Sequence, residues 1–563
     1  MIARPSLISF GSFLSASSHI QSRSCLHLYI NYVYICILIM LNFARFCMSI
    51  SLDGLQFPIN PNSKKASSSQ TGKEIIAEAL SVVDNELSMK ALAEKNWRKH
   101  YPIYFKALVE HGIRTVNNPI TIAKQGLHKA HHSFEFYRQG QRYLLKDMMN
   151  DVDIKNLHTV QIKGESDAAP EWYVPYQGQK LQGQALLDQI QTWQDAGIIE
   201  PSHADALRAA QAHPEWFDLS DRTMVLFGAG SEAGPLPWLA QWKANIVAVD
   251  LANSRVWDKI LTIIQQGNAT LYAPSTEQLA ENTPTSTLKE KLGVDLLTQT
   301  PEIAHWLIQN KQPLDLAAIA YLDGEKHVRV AMAMDSIMKY VSEQKADTSL
   351  MFMCTPTDVY AVPEEIINAS NQKFKQRSQI QKTLTKGISA LSLHSFFKEN
   401  LHQLISSDNG QHYGIADCLV IEQGPNYALA KRIQQWRATL ARHCGQRVSI
   451  NIAPSTTTHS VTKNPLLKAA FNGASIFEVE AFHPETTNAL MAALWIYDLR
   501  HAESVANPET HLDHPLELMM KGANHGGLWR VAYLARTALP FAALYGFANE
   551  KLPLKKMFQK FKK

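Results

Sequence analysis

No C-x-x-C pair occurs among the six cysteines, which stand at 25, 36, 47, 354, 418 and 444. Scattered thiols offer neither a zinc site nor a disulfide framework, and they suit a reducing compartment. An excess of one charge is also missing: 55 Lys and Arg stand against 51 Asp and Glu, a formal net charge of +4. A dedicated nucleic-acid binder would carry a basic stripe, so that class is set aside. Charged residues make up only 19% of the chain and hydrophobic ones 45%, which argues against global disorder and allows a large core. There is no internal repeat. At 563 residues the chain is long enough for two or three domains.

The longest apolar run, Leu28 to Leu41, sits near the start, where three of the six cysteines also lie. With its flanks it nearly reaches the roughly 18 residues of a membrane helix, although Asn31 and Asn42 weaken it. Three readings stand: a membrane anchor at about 26–44, a signal-like segment without a clear small-residue cleavage site, or upstream sequence joined to a chain that starts at Met48. The third is favoured, because Met48-Ser-Ile-Ser opens soluble-looking sequence, and a cytoplasmic protein is then expected. Otherwise residues 28–44 offer a membrane contact.

Residues 48–75 read as a linker. From 76 to 215 the apolar residues recur at helical spacing. After 223, strands and helices alternate, which predicts an α/β fold: a doubly wound, Rossmann-like parallel sheet, with the N-terminal helical region on one side and C-terminal helices at 471–563 as a cover. The nucleotide-binding domain is expected at 216–470. Its strands are predicted at 223–228, 245–250, 314–321, 348–354, 417–422 and 447–453, with a polar helical insertion at about 364–412.

The most informative stretch is Thr223-Met-Val-Leu-Phe-Gly-Ala-Gly-Ser-Glu-Ala-Gly234, followed by Ile246-Val-Ala-Val-Asp250. An apolar strand runs into a glycine turn, then come a helix-length segment and a second strand ending in an acid about 20 residues on. Gly228 permits the tight turn and Gly230 removes a side chain that would hold a pyrophosphate away. Ala229, Ser231, Glu232 and Gly234 complete the turn, and the next helix N-terminus offers N–H groups to phosphate. Asp250, with Leu251 beside it, would take the ribose. An acid there favours NAD over NADP, although Arg255 could reverse the choice by pairing with a 2′-phosphate.

The second feature is Tyr427-Ala-Leu-Ala-Lys431. On a helix these two side chains share a face, where an ammonium would favour the phenolate and make Tyr427 a usable acid or base. The strand after it ends in Asn451-Ile-Ala-Pro-Ser455.

Together, the glycine turn, the acid-ending strand, the Tyr-x-x-x-Lys helix and this last strand resemble the short-chain dehydrogenase/reductase superfamily over about 223–465. The resemblance implies an NAD(P)-dependent oxidoreductase acting on a carbonyl or hydroxyl of a small molecule. Tyr427 would be its proton donor, Lys431 would lower the Tyr pKa and hold the nicotinamide ribose, and Pro454 would lie near the nicotinamide. The family's catalytic serine is missing, its place being held by Ile415, Ala416 and Asp417. Thr355 or Thr357 would then supply the hydroxyl. Phe227 precedes the first glycine, and Tyr321-Leu-Asp-Gly-Glu325 replaces the family's Asn-Asn-Ala-Gly. Two alternatives remain: an S-adenosylmethionine methyltransferase, which would usually carry an acid where Leu226 and Phe227 stand, and a nucleotide-binding protein without catalysis.

Other candidates are weaker. His128, His131 and His132 share a helical face, but no acid or cysteine is clearly placed to complete a metal site, so no metal is assigned. His525 lies in a loop of small residues that reads best as a packed turn. The residues 530–547 could cover a greasy substrate or a core. The basic, partly apolar tail 551–563 could touch an anionic membrane surface. If Met48 is the start, residues 48–563 should stay in solution without detergent and bind nucleotide like the longer chain. Peptides from 1–47 in mass spectra of the native protein would defeat that reading.

Overall fold

The parallel sheet at the centre is built from strands that are apolar on both faces, as such a sheet requires. A computed structural model describes residues 53–60, 63–151, 154–400 and 404–551; the expected anchor at 26–44 and nearly all of the basic tail lie outside them. The strands that concern the site are β1 (His158–Lys163), β2 (Thr223–Phe227), β3 (Asn245–Val249), β4 (Thr270–Ser275), β5 (Asp315–Ala318), β6 (Ser349–Cys354), β7 (Val359–Pro363), β8 (Ile405–Ser406), β9 (His412–Asp417) and β10 (Val448–Ile452). Seven of them form one sheet in the order β10-β6-β5-β2-β3-β4-β1. All pairs in it are parallel except β1 with β4. Strands β7, β9 and β8 make a separate antiparallel sheet.

The helices used below are α1 (Ser68–Ser81), α2 (Trp97–Arg114), α3 (Asn118–Ser133), α4 (Pro201–Ala212), α5 (Ser254–Gln265), α6 (Glu325–Gln344), α7 (Glu364–Lys375), α8 (Gln379–Leu391), α9 (Gly424–His443), α10 (Pro465–Gly473), α11 (Pro484–Arg500) and α12 (Ala535–Lys551). Successive strand residues point to opposite faces, and each face has its own core. Val225 and Phe227 join Val247, Val249 and Leu316 in a core with the buried residues of α1, α2, α3, α6 and α9. Met224 and Leu226 join Ile246 and Ala248 in a second core with α4, α5 and α11. Helix α5 illustrates the pattern: Asn253 caps it by accepting from the N–H groups of Arg255 and Val256, and Trp257, Ile260, Leu261 and Ile264 form its buried stripe. The described residues form one compact unit. Among the described residues no helix is long and apolar enough to cross a membrane.

Several sequence expectations shift. The linker ends early, because Ser67 caps α1 and the helix begins at Ser68. The stretch 76–215 also holds β1 and four shorter strands, Glu135–Arg138, Gln141–Leu144, Val174–Tyr176 and Gln179–Leu181. The predicted strand at 417–422 is not one. Its predecessor His412–Asp417 pairs with β7 instead, and the chain then turns through a short 3-10 segment at Ile421–Gln423. The strand β4 was not expected, since Pro274 and two hydroxyl residues mask its period. The expected insertion does contain α7 and α8, but its end supplies β8 and β9.

Buried charge ties the first core together. Asp335 on α6 is 3% exposed and accepts from Arg437 of α9 at 2.6 and 2.9 Å, with His131 of α3 at 2.6 Å. His131 is thus committed to Asp335, while the His128 and His132 rings meet at a tilt, 4.1 Å apart. Burial alone would raise the Asp335 pKa; the Arg437 and His131 partners outweigh it and hold the carboxyl far below its ordinary 3.8. A depressed carboxylate stabilises fully above its unfolded pKa and loses that contribution as pH falls below about 4. Asp335→Ala, which strands Arg437, should cost about 3–5 kcal/mol in urea unfolding at neutral pH. The gap to wild type should narrow in acid.

Candidate functional site

Along the sheet order, β2 lies between β3 and β5, and the chain direction makes all their carboxyl ends fall on one edge. The connections after β2 and β5 meet there. Gly228 has φ +88°, and a Cβ on it would sit 2.6 Å from the Cα of Ala320 and 2.8 Å from its N. Only glycine allows that approach. Gly230 serves packing as well: a Cβ there would lie 2.9 Å from Val256 Cγ1 and 3.2 Å from Asp250 Oδ2.

The acid at the end of β3 is turned toward the glycine turn. Asp250 Oδ2 accepts from the Gly230 N–H at 2.8 Å, and Oδ1 accepts from the Leu251 N–H at 2.8 Å. Burial raises its pKa, and these two bonds oppose the rise. Oδ2 thus braces the turn and Oδ1 the start of the segment after β3, each with one acceptor position used. Most of the turn's N–H groups are used internally too. Gly228 and Ala229 donate to Val249, Ser231 to Gly228 and Gly234 to Ser231. Glu232 and Ala233 are the two whose N–H groups have no acceptor among the described residues. The segment after Gly234 is not a full helix: Pro235 leads into a single helical turn, Leu236–Leu239, and then into turns. A macrodipole summed over one turn is small. Lys259 brings positive charge instead, donating to the Gly230 carbonyl at 3.1 Å. Leu251 is 45% exposed beside it. Across the turn, the Glu232 carboxylate accepts from the His459 N–H at 2.8 Å, tying the turn to the segment after β10.

The second group of residues surrounds Tyr427 near the start of α9. Its ring stacks on His327 at 5.3 Å and meets the edge of Tyr321 at 6.2 Å. Tyr321 follows Ala320 directly, so this cluster adjoins the glycine turn. Burial raises the Tyr427 pKa, and the nearby Thr355 side chain opposes the rise. Thr355 and Thr357 share a hydroxyl contact of 2.8 Å, and Gln423 Nε2 donates to Thr357. The loop that carries them is anchored by Asp358, which accepts from Arg432 at 3.2 Å and Gln435 at 2.9 Å, both on α9.

Lys431 departs from its expected part. Its ammonium donates to the Met353 carbonyl at 2.9 Å and to Gln434 at 3.2 Å. Burial lowers its pKa. Its field acts on His327, whose pKa is driven well below 6.5 first by burial and then by Lys431. The expected phenolate-stabilising pair is therefore replaced by a neutral phenol on a neutral imidazole. Pro454 is buried after β10, and its carbonyl accepts from Thr456 at 2.9 Å.

His327 was missed by the sequence reading. It is 2% exposed, and neither ring nitrogen has a hydrogen-bond partner among the described residues. A single histidine in the first turn of a helix gives no signal in one sequence. His525 is different. It is fully buried, bonded to Glu200 at 2.7 Å, while Arg530 clamps the same carboxylate at 2.7 and 2.8 Å; it is a packed structural group. Among the described residues no three His, Cys, Asp or Glu side chains gather as a metal site would need.

Beyond Thr357 lies an apolar cleft with about 650 Å³ free of protein atoms, part of it open to solvent. Ser455, Phe471, Phe477, Val531, Tyr533 and Leu539 contribute to its walls. The chain matches no family model, and no curated protein or solved structure is similar to it.

Since Gly230 faces Val256 and Asp250, Gly230→Val should destabilise the protein by about 1–3 kcal/mol before any ligand is added, the cost of overpacking. Urea unfolding of the variant at unchanged stability would show that the glycine keeps room for something outside the chain.

Proposed function

We propose that this protein is an NAD(P)-dependent oxidoreductase of short-chain dehydrogenase/reductase type, working on a carbonyl or hydroxyl of an apolar small molecule. The observation that carries the reading is the group Tyr427, Thr355, His327 and Tyr321 at the carboxyl edge of the sheet, between the glycine turn and the apolar cleft. The strand order supports it. Counting only the parallel strands, β4-β3-β2-β5-β6-β10 is the 3-2-1-4-5-6 order of the doubly wound dinucleotide-binding fold, whose ligands lie at the point where the order reverses. Here that point is the crevice between β2 and β5.

The residues fit a dinucleotide in an altered way. The unpartnered N–H groups of Glu232 and Ala233, the Ser231 hydroxyl and the Lys259 ammonium would hold phosphate, and Leu251 would lie against the adenosine. Asp250 acts through the turn it braces. When bound, the nicotinamide supplies hydride chemistry. The protein's own part is the proton. A phenol whose pKa is raised by burial stays protonated at neutral pH, which suits Tyr427 to donate its proton to a carbonyl oxygen in the reducing direction. Thr355 orients the phenol. The neutral His327 ring packs against it without competing for the proton. The apolar part of the substrate would occupy the cleft beyond Thr357.

A second reading, nucleotide binding without catalysis, is favoured by one observation: the Lys431 ammonium is spent on the Met353 carbonyl. The two separate by experiment. A thermal-shift panel of NADH, NADPH, NAD, NADP and S-adenosylmethionine should raise the melting temperature with a nicotinamide nucleotide, by an amount equivalent to about 2.7 kcal/mol at a hundredfold excess over Kd. With Asp250 committed to the turn, Arg255 becomes the side chain that decides between NADH and NADPH. Arg255→Ala should therefore weaken NADPH more than NADH. In reduction assays Tyr427→Phe should lower turnover by roughly 10²–10⁴ with little change in nucleotide affinity. A shift by S-adenosylmethionine alone would overturn the reading, and nucleotide binding with full activity in Tyr427→Phe would remove Tyr427 from the chemistry.

A further inference from the structure

Helix α8 carries its apolar stripe on the wrong side for a globular protein. Ile380, Leu384 and Leu391 recur at helical spacing, yet the helix has no buried residue; Ile388 is half-buried. Ile380 is 81% exposed, Leu384 61% and Leu391 89%, and Leu393 just beyond is 88% exposed. The side that approaches the rest of the protein includes Lys382 and Thr385, and Arg377 donates to the Thr385 hydroxyl at 3.2 Å. A capping box at Ser378 and Gln381 starts the helix, so it is well formed despite lacking a core contact. An amphipathic helix of this kind normally turns the stripe inward, and a group of outward-facing large apolar side chains marks an interaction surface.

Charge identifies the partner. Between 370 and 398 there are six basic residues and no acidic one. Lys373 pairs with Glu478, and Arg377 lies over the rings of Phe374 and Tyr533. The remaining four, Lys375, Lys382, Lys386 and Lys398, form no ion pair among the described residues. Lys375 acts on Glu399 and Lys382 faces inward, which leaves Lys386 and Lys398 exposed and outside any ion pair among the described residues. An exposed apolar stripe with such lysines near it is complementary to an anionic lipid surface. A second copy of the same face would bring like charges together.

We propose that α8 docks this protein on the surface of an anionic phospholipid bilayer, with Ile380, Leu384 and Leu391 entering the headgroup–acyl boundary. The fold connects that contact to the candidate site. Six residues after Leu391, Phe397 packs on Tyr533 at 5.1 Å and on Phe541 at 4.3 Å. Tyr533 lines the apolar cleft. One turn beyond Phe541 on α12, Leu544 is 65% exposed. The docked helix thus sets the wall of the cleft beside the bilayer, where an apolar molecule partitions. The docking itself does not depend on the oxidoreductase reading.

The test is flotation of the full chain with vesicles of phosphatidylcholine alone and of phosphatidylcholine with a third phosphatidylglycerol. Binding should require phosphatidylglycerol and should weaken as salt is raised. The triple variant Ile380→Ser, Leu384→Ser, Leu391→Ser should bind at least tenfold more weakly. Lys386→Gln with Lys398→Gln, both exposed, should show a smaller loss and a flatter salt dependence. Because these side chains are exposed, the melting temperature of both variants should match wild type, which separates lost docking from lost folding. Absence of vesicle binding by the wild-type chain would overturn the proposal. So would unchanged binding of the triple variant, which would assign the contact to another segment such as 28–44. A wild-type self-association that disappears in the triple variant, without vesicle binding, would make this face a contact between copies instead.

Discussion

The parallel pairing of β2 with β5 is the constraint on which the rest of the edge depends. The two strands are almost ninety residues apart in the chain, yet Asp315 to Ala318 pair in register with Met224 to Phe227. That register brings Ala320 against Gly228 at a separation no side chain would tolerate. It also sets Tyr321 beside Tyr427 and starts α6 so that His327 lies under the phenol. At the opposite edge the pairing is locked by charge. Arg222 forks onto the buried Asp315, and Ser349 of β6 donates to the same carboxylate. A one-residue slip would break this clamp and exchange the faces of the whole strand, moving residues from one core into the other.

The strands with continuous apolar runs were legible because two-sided burial leaves an unmistakable composition: β2, β3, β5, β6 and β10 fall within two residues of the sequence expectation at most ends. What sequence could not convey was partnership. The short strand at 412–417 belongs to an antiparallel ladder whose other strand, Val359–Pro363, lies beyond two helices. The Pro274-containing strand β4 is specified by its neighbour β3, not by its own pattern. The glycine turn is legible from its spacing, and the structure adds packing reasons that spacing does not show. Gly228 and Gly230 answer to Ala320, Val256 and Asp250, all distant in sequence or on another element, and no spacing rule distinguishes a glycine kept for packing from one kept for a phosphate.

The same limit applies to Tyr427 and Lys431. Their spacing correctly implies neighbouring positions on one helix face, and the helix Gly424–His443 provides it. Spacing does not say where an ammonium's three donors will go. The Met353 carbonyl, at the end of a buried strand, is a strong acceptor in a poorly solvated place, and leaving it without a donor would cost free energy. Lys431 therefore bridges α9 to β6. Burial first, and then its charge, keep His327 neutral.

Burial holds the Tyr427 phenol in its neutral form, because a phenolate there would be poorly solvated. The neighbouring His327 ring is neutral as well. One of its nitrogens then carries a hydrogen and the other a lone pair, and neither has a partner among the described residues. A ligand group reaching past Tyr321 and Tyr427 would find both a donor and an acceptor on the buried His327 ring, and hydrogen bonds made to that ring would count for more than they do in solvent. On the proposed reading, a compact group that both accepts and donates would sit there, with an apolar remainder in the cleft beyond Thr357.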